Sequence, residues 1–222
     1  MKFIRSTFLL VIAVLVPVAL IILGIRILLS STFLNIEYRM PGFPADDYGF
    51  SLEERLKWSK LAVQYLVNDS GDEFLGDLTF LDGKALYNER ELSHMSDVKK
   101  VVKPVLSIGY ASWILLLGFG FIAYRIKWQS EYLRGLRLGG LIMIGLICVI
   151  GIFSIISFWN FFTIFHSLFF EGDSWLFLYS DTLIRLFPMR FWQDAFLMVG
   201  LITLGGSLIL VASIKPKNLI KG

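Results

Sequence analysis

Any search for chemistry in this chain begins with His94 and His166, the only two histidines among its 222 residues. Imidazole, with an unperturbed pKa of about 6.5, is the side chain suited to giving and taking a proton near neutral pH. His166 lies in the stretch Ser157-Phe158-Trp159-Asn160-Phe161-Phe162-Thr163-Ile164-Phe165-His166-Ser167-Leu168-Phe169-Phe170-Glu171-Gly172-Asp173-Ser174-Trp175, where an apolar segment meets a polar loop and aromatic residues crowd one imidazole. An interfacial belt of a membrane protein favours Trp and Tyr. Phe dominates here, a pattern that suits an apolar pocket as well as a belt. His94 lies in Glu91-Leu92-Ser93-His94-Met95-Ser96-Asp97, with a carboxylate about one helical turn away on either side. Such neighbours can fix a tautomer and hold an imidazole near its working pH.

Other nucleophile and cofactor patterns are missing from the sequence. Cys148 is the single cysteine, which excludes an intrachain disulfide and a CxxC redox pair. There is no GxGxxG or GxxxxGK[ST] phosphate loop and no GxSxG elbow. Gly205-Gly206-Ser207 sits inside an apolar run and reads as close helix packing.

The elements that must position the histidines belong to a membrane. The chain is 56% hydrophobic and 15% aromatic, with a mean hydropathy of +0.69, too apolar for a soluble domain of this length. Four stretches have the roughly 20 residues that a helix needs to cross hydrocarbon: about 3–29, 105–126, 136–158 and 191–214. The first follows Lys2 and Arg5 but outruns a signal-peptide core and lacks a small-x-small cleavage site, so it reads as a retained anchor. Pro17 should bend it modestly, and Arg26 near its far end can reach headgroups.

Positive charge near the helix ends sets the orientation. Lys2 and Arg5, then Arg125, Lys127, Arg134 and Arg137, then Lys215, Lys217 and Lys221, mark three segments as cytoplasmic. The acidic segments 30–104 and 166–191 then fall outside, with both histidines at that interface. The net charge of +3 is a topology signal, not a nucleic-acid footprint.

Residues from about 32 to 104 are long enough to build a small cap. After a turn-rich start at Tyr38–Pro44, Ser51-Leu52-Glu53-Glu54 reads as a capping box opening a helix to about Val67. Phe74 to Tyr87, around Asp82-Gly83, reads as a short hairpin. Asn88 and Glu91 open a second helix, from Glu89 to about Val102, which Pro104 ends or kinks. At 100° per residue His94 shares a face with Glu91, Val98 and Val101, opposite Ser96 and Lys99, and it lies roughly 15 Å along the helix from Pro104. A short helix runs from Thr182 to Phe187, with Asp181 as N-cap and Pro188 as stop. Asp173, Asp181 and Arg185 read as capping and surface pairing within that loop. The expected fold is an all-α membrane protein: a single integral domain over 1–222, with four transmembrane helices and a small, mainly helical extracytoplasmic cap.

Three chemistries are open to a histidine pair. A metal would need a third ligand from Glu91, Asp97, Glu171 or Asp173, and there is no HExxH. A serine hydrolase would have to use Ser93, Ser96 or Ser167, none on a recognisable elbow. Acid–base catalysis needs no enzyme nucleophile when the substrate supplies its own. A non-catalytic four-helix partner protein, with histidines that merely pack, is the remaining alternative.

Glu91-Leu92-Ser93-His94-Met95-Ser96-Asp97-Val98-Lys99, together with Phe165–Trp175 and Asp181-Thr182-Leu183-Ile184-Arg185-Leu186-Phe187-Pro188, resembles the bacterial lipoprotein intramolecular transacylase (Lit) family over nearly the whole chain. The resemblance implies a bacterial plasma-membrane enzyme, and the Lys and Arg distribution puts both its termini in the cytoplasm. Its substrate would be a diacylated lipoprotein bearing an S-diacylglyceryl cysteine with a free α-amine, and its surroundings membrane lipid. The sn-2 acyl chain would move from glycerol oxygen to that amine, giving an N-acyl lyso-lipoprotein, without metal or cofactor. His166 is then expected as base and His94 as oxyanion donor or acid, or the reverse. Glu91 and Asp97 would orient His94, and Trp159, Phe162, Phe165, Phe169, Phe170, Trp175 and Arg185 would bind substrate.

Overall fold

The structure, a computed structural model, describes residues 2–214. Lys215, Lys217 and Lys221 of the expected cytoplasmic tail lie outside the described residues. Apart from one isolated bridge, the regular elements of the described chain are helices: α1 (Lys2–Leu28), α2 (Ser31–Glu37), α3 (Leu52–Val67), α4 (Glu73–Gly76), α5 (Glu89–Arg125), α6 (Gln129–Ile156), α7 (Phe158–Phe169), α8 (Thr182–Leu186) and α9 (Met189–Ser213). Among the described residues α1, α5, α6 and α9 are long and apolar enough to cross a bilayer. The protein is an all-α membrane protein.

Three local expectations need correction. Pro104 does not end its helix: α5 runs 37 residues through it. A proline removes one backbone donor, and here the helical pattern on both sides outweighs that one loss. The third long helix stops at Ile156, because Ser157 takes an extended conformation and its hydroxyl accepts from Asn160 N at 3.3 Å. The aromatic stretch is therefore a helix of its own, not the frayed end of a span. The hairpin reduces to one antiparallel bridge, Thr79 with Ala85, closed by Gly83 at φ +83. A short helix not expected from the sequence, α2, forms ahead of Tyr38–Pro44, capped by Ser30, and Tyr38–Pro44 itself is irregular as expected.

The chain divides into two compact units. One comprises the described residues up to Ile25, Leu106–Ile156 and those from Met198 on. Its core joins Ile12, Val16, Ala19 and Leu20 of α1 to Leu116 of α5 and Met143 of α6. Gly139 allows α6 to approach α1 closely; a Cβ there would lie 2.6 Å from Val16 Cβ and 2.8 Å from Ala13 O. Polar ties supplement this packing. Arg5 pairs with Glu131 at 2.9 Å, and Trp113 Nε1 donates to Ala19 O at 3.2 Å. Ile114, Leu117, Phe121, Val149 and Ile209 face outward, as a hydrocarbon solvent requires.

The other unit comprises Arg26–Val105 and Ser157–Leu197 and contains both histidines. The capping box at Ser51 and Glu54 forms as expected, and α3 turns Trp58, Ala62, Tyr65 and Leu66 into a core completed by Leu75, Leu86, Tyr87, Met95, Leu183 and Leu186. Buried polar groups hold α8 in place. Tyr38 OH donates to Leu186 O at 2.7 Å, Arg55 Nε to Arg185 O at 3.1 Å, and Thr182 Oγ1 to Leu86 O at 2.5 Å. Main-chain carbonyls of a five-residue helix thus gain partners that its own short length denies them.

Candidate active site

The N-terminus of α5 is fixed by reciprocal capping. Asn88 N donates to Glu91 Oε2 at 2.8 Å, and Glu91 N donates to Asn88 Oδ1 at 3.0 Å. The other oxygen of Glu91 accepts from Leu183 N at 2.6 Å, which bolts α8 to α5. One turn on, His94 and Met95 turn inward and are buried. On α7, helical spacing places Phe158, Phe162, Phe165, His166 and Phe169 along one side.

These two helices bring the imidazoles together. The rings of His94 and His166 lie 6.4 Å apart, centroid to centroid, and are inclined by only 22°. His166 Nδ1 stands 2.8 Å from Phe162 O. A carbonyl oxygen only accepts, so Nδ1 is the N–H donor and Nε2 keeps its lone pair. The Nδ1 of His94 is buried without a hydrogen-bond partner.

Aromatic rings enclose the pair. Phe170 and Phe177 meet His94 edge-on at 4.9 and 5.3 Å. Phe162 and Trp175 lie over His166 at 4.0 and 4.7 Å, and Phe165 and Trp192 complete its surroundings at 5.6 and 6.5 Å. Such walls disfavour charge. Asp97, Lys99, Lys100 and Lys103 separate His94 from the apolar run of α5, and His166 is on α7, which is not one of the four long apolar helices. Burial lowers the His166 pKa below its usual value, opposed by its hydrogen bond to Phe162. Burial also pushes His94 down, to about 4, helped by the proximity of His166 and opposed by Asp97. Both shifts favour the neutral imidazole.

Of the expected substrate-binding residues, Phe162, Phe165, Phe170 and Trp175 touch a histidine ring. Phe169 reaches only their neighbours, Phe165 at 5.1 Å and Phe170 at 6.4 Å. Trp159 stacks on Phe162 at 6.4 Å with most of its surface exposed. Arg185 is occupied elsewhere. It pairs with Asp46 at 2.9 Å and covers the Phe50 ring at 3.6 Å, so it is bound to the first loop and not to the acidic residues of its own loop. Neither carboxylate expected to orient His94 makes that hydrogen bond. Glu91 is saturated by backbone amides, and Asp97 Oδ1 accepts from Lys100 Nζ at 2.9 Å. Asp97 acts on His94 only through its charge.

Two wall residues escape a sequence reading. Phe177 lies two residues after Trp175, just past a turn closed by Leu176 N donating to Asp173 O at 3.0 Å, and such a turn leaves no periodic signal. Trp192 carries no local signal.

An all-helical protein with four helices long and apolar enough to cross a bilayer defines a class, the integral membrane proteins, and this one carries two facing imidazoles in an aromatic wall. The family model for "Lipoprotein intramolecular transacylase Lit" matches residues 9–192, and the chain belongs to that family. It is thereby an acyltransferase of lipoprotein maturation, a lipoprotein intramolecular transacylase. Over 225 residues it is 32% identical to an uncharacterized protein of Aquifex aeolicus (strain VF5), covering 98% of each chain. Its fold matches the in meso structure of the membrane integral lipoprotein intramolecular transacylase Lit from Bacillus cereus with a TM-score of 0.77 and 21% identity, over 100% of this chain and 98% of that one. A form of the Bacillus cereus protein with one histidine replaced by arginine matches with a TM-score of 0.73 and 19% identity, over 99% and 93%.

Proposed function

We propose that the protein transfers the sn-2 acyl chain of an S-diacylglyceryl cysteine to the α-amino group of the same cysteine, using His94 and His166 as its acid–base pair. The observation that carries this reading is the facing of the two imidazoles at 6.4 Å, with the Nε2 lone pair of His166 left free by the bond from Nδ1 to Phe162 O.

The steps follow from the chemistry of the groups. The lone pair of the amine attacks the ester carbonyl carbon, forming the C–N bond and a tetrahedral oxyanion. The nitrogen becomes strongly acidic as it bonds carbon, and His166 Nε2 takes its proton. The C–O bond to glycerol then breaks, and the leaving oxygen receives a proton from an imidazolium. An amide and a free glycerol hydroxyl result, and no proton is gained or lost overall. An α-ammonium has a pKa of about 8, so about a tenth of it is free amine at pH 7. Imidazoles lowered by burial do not compete for that ground-state proton. They are matched to the more acidic nitrogen of the intermediate. Ester and amine belong to one molecule, so the protein's task is to fold the head of the lipid into a reactive loop and to keep water from the ester. Aromatic walls serve both ends.

The same proposal places the site at the extracytoplasmic face, with both termini cytoplasmic, on the distribution of Lys and Arg near the helix ends. Within this proposal the spans run over about 3–28, 105–125, 136–156 and 191–213, inside α1, α5, α6 and α9, and the cap covers about 32–104. Against a metal-dependent hydrolase, no three His, Cys, Asp or Glu side chains converge as a ligand set among the described residues. Incubation of the purified protein with a synthetic diacylated lipopeptide, read by mass spectrometry, tests the reaction. Migration of one acyl chain with no change in total mass supports it. Release of free fatty acid instead indicates a hydrolase.

A further inference from the structure

The proposed reaction, on which this inference rests, requires ester and amine to reach both imidazoles, yet His94 is only 8% exposed and His166 6%. Much of that cover comes from one segment. Between α7 and α8 the chain runs without a helix from Phe170 to Asp181, and it supplies both edge contacts on His94, from Phe170 and Phe177, and the Trp175 ring over His166. Its other side is apolar too: Leu178 is 71% and Tyr179 82% exposed.

Besides the packing of Phe177 against the core around Leu86 and Leu183, the segment is tied down by few hydrogen bonds. Phe170 N donates to His166 O at 2.8 Å where α7 ends. Leu178 N donates to Asp181 Oδ2 at 2.8 Å, beside the cap of α8. In between, Arg90 of α5 donates from Nη2 to Asp173 O at 2.7 Å. Arg90 and Asp173 are both exposed, so water can take over that bond. Next to it, Gly172 holds φ +57, a backbone conformation glycine adopts freely, and a Cβ there would meet nothing within 4 Å.

We propose that Phe170–Tyr179 is an acyl-chain gate latched by Arg90. In the closed form Phe170, Trp175 and Phe177 seal the histidines. When the segment swings out, the acyl chains of the diacylglyceryl group replace those ring contacts, an exchange of apolar surface for apolar surface that leaves little area newly in water. The histidines stay dry in both states, which protects the ester. Arg90 is a positioning residue, remote from the reacting atoms.

The test uses the full chain in detergent micelles with Cys148→Ser, Arg90→Cys and Asp173→Cys. The two new thiols are either bridged by a short bismaleimide or capped separately with N-ethylmaleimide. Diethyl pyrocarbonate then labels imidazoles, and labelling of His94 and His166 is followed by mass spectrometry. A gate predicts that bridging slows labelling of both by about fivefold or more, since access needs local opening; equal rates in bridged and capped protein overturn it. With a diacylated lipopeptide, capped protein converts it and bridged protein does not. If the acyl-transfer reading itself is wrong, capped and unsubstituted protein both leave the lipopeptide unchanged, while the labelling rates still decide the gate.

Discussion

His166 Nδ1 donates to Phe162 O, one turn back on the same helix, across 2.8 Å. One main-chain carbonyl thus selects the tautomer of a proposed catalytic base and aims its free nitrogen without any carboxylate. Neutral imidazole in an aromatic wall should titrate late. Long-range nitrogen–proton NMR of the detergent-solubilised protein should show His166 as the Nδ1–H tautomer, with a midpoint below 6.5, and His94 with a midpoint near 4. The acid limb of the rate should follow these midpoints. An Nε2–H tautomer for His166 at pH 7 contradicts the assigned roles.

Glu37 and Asp194 give stability a dependence on pH. Glu37 is 2% exposed, and burial, with Asp194 beside it as repelling charge and hydrogen-bond partner, pushes its carboxyl up to about 7, against the pull of Arg190. A raised carboxyl binds its proton more tightly in the folded state. Its contribution is complete below 4.5 and is lost as pH rises through 7. Glu37→Gln, permanently neutral, should flatten the fall in melting temperature between pH 5 and 8. The buried histidines act in the opposite sense. Their folded pKa values are lowered, so they cost stability as pH falls from 6.5 towards 4. A Glu37→Gln melting profile parallel to that of the unsubstituted protein would remove Glu37 from this linkage.

Arg185 and Asp46 form a bidentate pair whose side chains are 11% and 2% exposed. Removing one partner leaves a buried charge, a loss of about 3–5 kcal/mol. Arg185→Ala should therefore melt earlier and release the chain around Tyr48 and Phe50, yet keep its rate per folded molecule at low temperature. A raised KM with unchanged melting would return Arg185 to substrate binding.

The close approach of α6 to α1 at Gly139 predicts a contrast between two glycines. A Cβ at Gly139 meets Val16 and Ala13, whereas nothing lies within 4 Å of one at Gly145. Gly139→Val should destabilise by about 1–3 kcal/mol through overpacking. Gly145→Ala should be neutral or slightly stabilising through helix propensity. Equal melting temperatures for the two variants would show that Gly139 does not set the packing.

Much of this molecule was legible in the sequence where local rules act alone. Apolar runs gave the four long helices, Ser51 with Glu54 and Asn88 with Glu91 gave two helix starts, and phasing turned His94 inward. Contacts between distant segments were not legible. Phasing gave the face on which Glu91 lies, but its partner proved to be Leu183 N, some ninety residues on. The acidic surroundings of Arg185 pointed to its own loop, while Asp46 holds it. Ser157 was read as part of a span because its neighbours are apolar, although a serine before an aromatic run is an N-cap signal. The histidine pair was legible as a possibility through topology and family resemblance, and its ring geometry only through the fold.

The most direct test of the proposed chemistry compares His94→Ala, His166→Ala and unsubstituted protein on a synthetic diacylated lipopeptide, with melting curves to confirm folding. Acid–base catalysis by the pair predicts that each substitution lowers the rate of acyl migration by about 10²–10⁴-fold while leaving the total mass of the lipopeptide unchanged. Either variant migrating acyl chains at the unsubstituted rate would contradict it.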